Sequence, residues 1–82
     1  MSTQTQTLTE QLLTLITTKY SVPRETTAET PFELIDLDSL VLVEVAVTLT
    51  GRYHVTVTDE ELRDAGNIAG TVALLEARGV RA

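Results

Sequence analysis

Cysteine is absent from this chain, which excludes a disulfide framework, a thiolate metal site and a thiol nucleophile. Tryptophan is absent too, and Phe32 is the lone phenylalanine. Positive charge is scarce. Lys+Arg number 6 against 12 Asp+Glu, a formal charge of −6 over 82 residues. That balance excludes a protein built to displace counterions from nucleic-acid phosphates. It favours partners with basic surfaces. No stretch approaches the roughly 20 uncharged apolar residues of a membrane span. Met1 to Thr7 offer neither a basic nor an apolar leader region, so they do not read as a signal peptide. Apolar residues still make up 43% of the chain, too many for a disordered acidic tail. The length supports one domain with a modest core. Its expected stability is on the order of 0.1 kcal/mol per residue. The expectation is a small, acidic, soluble, cytoplasmic monomer.

Residues 1–6 are mostly Thr and Gln, with Met1 their one apolar side chain, and read as a flexible N-terminal tail. Residues 7–79 read as the folded domain and 80–82 as a C-terminal tail. Thr7 and Glu10 have the spacing of a capping box. Behind them Leu8, Leu12, Leu15 and Ile16 recur on one helical face, which predicts a first helix from about Leu8 to Tyr20. Pro23 ends it. Ser21 to Leu37 form a long polar connection with both prolines of the chain. A loop this long in so small a domain is functional or packed by its own anchors. Thr30-Pro31-Phe32-Glu33 predicts a capped helical turn, with Phe32, Leu34 and Ile35 as anchors.

Leu40 to Val47 is rich in β-branched residues, and propensity alone reads a buried strand. Length and period favour a helix. Leu42, Val45, Ala46, Leu49 and Tyr53 form a continuous helical stripe, and Asp38 supplies an N-cap. His54 to Thr58 reads as an extended connection that tucks Val55 and Val57 under the helices. Thr58 and Glu61 form another capping box, opening a short helix that ends at Gly66. Asn67 caps a last helix carrying Ile68, Val72 and Leu75, closed by Gly79. The predicted fold is all-α: a small four-helix bundle with a long first loop and a short third helix.

No self-sufficient enzyme is legible. His54 is the only histidine and lies in a connection. Asp38 and Ser39 lack the second base a triad needs. Asp36 and Asp38 begin like a calcium loop, but Leu40, Val41 and Val47 occupy positions that need oxygen ligands or glycine. No glycine-rich phosphate loop appears. The expected catalytic and metal sets are therefore empty.

One constellation remains. Leu37-Asp38-Ser39-Leu40 places a serine at the mouth of a helix, after a long loop. That helix carries a second apolar stripe of Leu40, Val43 and Val47, with Glu44 beside it. The stripe is either a surface docking face or part of a helix buried all round, and periodicity does not choose between them.

Phe32 to about Leu75 resembles the acyl carrier proteins of fatty-acid and polyketide synthesis. The resemblance rests on Asp38-Ser39-Leu40, followed by Val43-Glu44-Val45 where that family has Val-Glu-Leu. Thr58-Asp59-Glu60-Glu61 is similar to the acidic start of the family's third helix. The resemblance implies that Ser39 carries 4′-phosphopantetheine, moved from coenzyme A by a phosphopantetheinyl transferase, with Asp38 helping to present the serine. It implies a carrier that holds acyl groups as thioesters and does no chemistry on them. Its partners would be an acyltransferase, a ketosynthase or an acyl or aminoacyl ligase. Docking would use Leu40, Val43, Glu44 and Val47, with Asp36 and third-helix acids such as Glu61. Asp36 stands where the family usually has glycine. Thr50 and Gly51 stand where bacterial fatty-acid carriers usually have acids, which implies dedicated partners of the kind found in polyketide pathways. An aminoacyl or peptidyl carrier is the neighbouring reading, and a cofactor-free helical adaptor is the one from another class.

Overall fold

In the computed structural model, which describes residues 3–81, the expected bundle is present with boundaries that differ at both ends. Helix α1 (Thr3–Lys19) starts earlier than the periodicity predicts. Residues 3–6, read as tail, continue it, while Met1 and Ser2 lie outside the described residues. Thr7 therefore sits inside the helix. Its hydroxyl donates to the Thr3 carbonyl at 2.9 Å and caps nothing. The added turn is held by a distant residue. Gln4 and Thr5 donate to the Glu76 carboxylate at 3.3 and 2.7 Å. Leu8, Leu12 and Ile16 form the buried stripe of α1.

The long connection is anchored by backbone rather than by regular structure. The Ala69 N–H donates to the Ala28 carbonyl at 2.8 Å, and the Phe32 N–H donates to Gly66 at 2.9 Å. The capped turn is a 3₁₀ turn, Phe32–Ile35, preceded by Pro31 and without a side-chain cap. The Thr30 hydroxyl instead accepts from the Thr27 N–H. A 3₁₀ turn repeats every three residues. Phe32 and Ile35 therefore share the buried side, and Leu34, expected as an anchor, is 72% exposed. Leu37 takes its place in the core.

Helix α2 (Ser39–Tyr53) settles the strand-or-helix question. Leu42, Val45, Ala46 and Leu49 bury one face, and that burial outweighs the β propensity of the valines. His54 ends the helix in the left-handed region. Thr50 then holds the following connection, since the Val57 N–H donates to its hydroxyl at 3.1 Å. Val57 is buried beneath it.

Helix α3 (Asp59–Ala65) has the reciprocal Thr58–Glu61 capping box. Helix α4 (Ile68–Ala77) starts at Asn67, whose side chain accepts from the Gly70 N–H at 2.7 Å. Beyond α4, Gly79 takes φ +87, and the N–H groups of Gly79 and Val80 donate back to Glu76 and Leu75. This Schellman closure folds Val80 into the core, so the chain is packed one residue beyond the expected tail boundary. α4 packs on α1 and α3, and α3 also packs on α2. The Tyr53 hydroxyl donates to Gln11 at 2.8 Å and joins α2 to α1.

Gly70 marks the tightest approach. A Cβ there would lie 2.5 Å from the Ala65 carbonyl oxygen, a backbone atom that cannot swing aside. In an open helix Gly→Ala gains about 1 kcal/mol. Here the overlap has the opposite sign, because α4 must lift from the end of α3 and strain the Ala69–Ala28 hydrogen bond. Gly70→Ala should lose about 1–3 kcal/mol in urea unfolding. An unchanged or raised midpoint would show that the junction yields freely.

Candidate functional site

The approach to Ser39 is built by Phe32. Its ring is buried and its N–H is bound to Gly66. Its carbonyl accepts from the N–H groups of Asp36 and Leu37. Asp36 turns the chain with φ +61, a left-handed conformation that aspartate tolerates better than most residues. Leu37 then plugs into the core, and the next three residues face water. Asp38 accepts the Val41 N–H at 3.0 Å and fixes the first turn of α2. Ser39 is the first helical residue, exposed, and its hydroxyl bonds to no other described residue. An anion attached there would meet unpaired N–H groups and the positive end of the helix dipole.

A cavity of about 540 Å³ opens beside this serine. Phe32, Leu37 and Leu42 give it apolar walls, while Asp38 and Ser39 line one side. Arg63, Gly66 and Asn67 line it from α3 and the α3–α4 junction. Its volume is in the range of small-molecule sites. A groove of about 640 Å³ along α1, lined by residues such as Gln11, Leu15 and Arg52, shares no residue with it.

The second stripe of α2 is not core. Leu40, Val43 and Val47 are 82%, 45% and 69% exposed, and Glu44 is exposed with them. Asp36 is exposed on the preceding loop. Glu61 differs from these. Its carboxylate accepts the Thr58 N–H at 3.0 Å and pairs with Arg78, which also donates to the Thr56 carbonyl. Glu60 and Asp64 are exposed on the same short helix. His54 stands at the far end of α2, about 22 Å along the helix axis from Ser39 at 1.5 Å rise per residue.

The cavity was not legible in the sequence. Its walls come from residues 31–42 and 63–67, which the Phe32–Gly66 backbone bond and the shared core bring together. Arg63, which the sequence reading left out of the site, pairs with Asp59 one turn earlier on α3 at 3.3 Å.

Among the described residues no helix is long and apolar enough to cross a membrane. A family model described as "Phosphopantetheine attachment site" matches residues 10–75. An acyl carrier protein of Rhodococcus erythropolis is 41% identical over 64 residues, spanning 73% of this chain and 70% of that protein. No solved structure matches significantly.

Proposed function

Because the chain belongs to the acyl carrier protein family, whose prosthetic group is covalent phosphopantetheine, we propose that Ser39 is the attachment point. The observation that supports this reading is an exposed, unbonded serine hydroxyl at the start of α2, held beside a cavity. In the loading step the Ser39 oxygen attacks the pantetheine-side phosphorus of coenzyme A. A new P–O bond forms, the P–O bond to the nucleotide breaks, and adenosine 3′,5′-bisphosphate leaves. The transferase takes the hydroxyl proton. When bound, the group supplies the thiol that this cysteine-free chain lacks, and acyl groups ride on it as thioesters. Asp38 keeps the first turn of α2 formed, so Ser39 is presented in one geometry. The chain itself performs no catalysis. Tethering raises the effective concentration of cargo at each docked enzyme. The carrier is a cytoplasmic monomer.

The test is intact mass after incubation with coenzyme A, magnesium and a broad-specificity phosphopantetheinyl transferase. A gain of one phosphopantetheinyl group is expected. No gain on folded protein would overturn the reading.

Docking falls to Leu40, Val43, Val47 and Glu44, with Asp36 at the near end. Their exposure supports this, and the acids suit a basic partner surface. Glu61 belongs to the docking set at its edge, since its carboxylate also holds Thr58 and Arg78. The partners are a phosphopantetheinyl transferase and enzymes such as an acyltransferase, a ketosynthase or an acyl or aminoacyl ligase. The far end of α2 favours dedicated polyketide-type partners over a general fatty-acid synthase. Thr50 is turned to Val57, and Gly51 is exposed with nothing within 4 Å of where a side chain would start. Neither offers an acid there. Val43→Asp and Glu44→Lys should each lower kcat/KM for transfer with a partner enzyme by about tenfold, the equivalent of roughly 1.4 kcal/mol. Helical circular dichroism should stay unchanged. Loss of that signal would make the stripe structural.

A further inference from the structure

Loading adds a negative charge to a crowded acidic corner. Asp38 and Glu33 line the same cavity as Ser39, in a chain of net charge −6. Arg63 is the one basic side chain lining that cavity among the described residues. Its present partner holds it loosely. The Asp59 contact is a single 3.3 Å bond between side chains that are 54% and 34% exposed. Exposed pairs of this kind contribute little. A phosphodiester offers two free oxygens at a spacing that suits the planar guanidinium fork, and a charge-assisted pair with it is the stronger alternative.

We propose that Arg63 leaves Asp59 on loading and clamps the phosphodiester carried by Ser39, laying the arm into the cavity against α3. The proposal rests on the carrier reading and goes beyond it, because it assigns the arm a resting position and a residue that holds it. Asn67 and the apolar wall of Phe32, Leu37 and Leu42 lie in that same cavity for the remainder of the arm to contact. Arg63 acts as a binding residue here and takes no part in the chemistry of loading.

The test compares loaded wild type with loaded Arg63→Gln and Arg63→Lys, each confirmed by intact mass. Phosphorus NMR reads the phosphodiester, and nitrogen-15 NMR reads the Arg63 side-chain N–H. In the wild type, loading should shift the Arg63 Nε–H signal. The phosphodiester signal should differ between wild type and Arg63→Gln, with Arg63→Lys in between. Asp59→Asn, which removes the competing carboxylate, should keep the wild-type phosphorus shift. Identical phosphorus signals in wild type and Arg63→Gln would overturn the proposal. So would an Arg63 signal that moves only when the thiol carries a malonyl group, because the anion would then be the cargo's carboxylate. Absence of any mass gain would overturn the carrier reading and this proposal together, whereas loading with silent spectra overturns this proposal alone.

Discussion

Ser39→Ala takes up no phosphopantetheine under conditions that load the wild type fully, and it melts within about one degree of it: this is the first result we expect. The two halves have separate causes. Loading fails because the substitution removes the one hydroxyl that lines the cavity among the described residues. Stability survives because the hydroxyl is exposed and bonds to no other described residue. Alanine is also the better helix former. Asp38→Ala gives the contrast. It keeps the nucleophile and deletes the bond to the Val41 N–H. Loss of an N-cap costs about 1 kcal/mol, which in a domain of this size lowers the melting temperature by roughly 4–8 °C. One variant is thus silent in stability and null in loading, while its neighbour is weakened in stability and still able to load. Mass gain on Ser39→Ala would mean that another hydroxyl is the attachment point. A cofactor-free adaptor would retain partner binding in Ser39→Ala, and a carrier would lose every acyl transfer.

What the sequence made legible was short-range. The caps at Asp38, Thr58 and Asn67 each use a side chain and an N–H three residues on, and all three are present. The core stripe of α2 was readable because one helix face is decided by residues within four positions of each other. The start of α1 was hidden because it depends on Glu76, about 70 residues away. Leu34 was misplaced because one helical turn cannot bury three of its four residues on one side: Phe32 and Ile35, three apart, share the buried face, and Leu34 between them is left outside. Leu40, Val43 and Val47 were undecidable by pattern, since two apolar stripes on one helix look alike until the neighbours are known. α3 packs on α2, and Leu42, Val45, Ala46 and Leu49 are the α2 side chains that end up buried. The cavity at Ser39 belongs with these long-range features. Its serine was legible, and its far wall was not.

Leu49→Ala should be the most damaging substitution to the fold. Leu49 has no exposed surface and sits in the core on the inner face of α2. Truncating a buried leucine costs about 2.7–5.0 kcal/mol, the larger values where the cavity cannot collapse. At roughly 0.05–0.15 kcal/mol per residue, an 82-residue domain has about 4–12 kcal/mol in total. The variant therefore loses a third or more of its stability at the middle of that range, and approaches complete unfolding at its lower end. Val47→Ala is the control. It lies two residues earlier on the same helix but is 69% exposed, and it should stay within about 0.5 kcal/mol of wild type. Urea unfolding followed by circular dichroism measures both. The two variants should also separate in function. Leu49→Ala should load poorly in proportion to its unfolded fraction, because an unfolded α2 presents no cap and no fixed serine. Val47→Ala should stay folded and lose ground only where an enzyme has to dock, the transferase that loads it included. Equal stability losses for the two would mean that α2 is buried on both faces, and the assignment of its outer stripe to docking would fall.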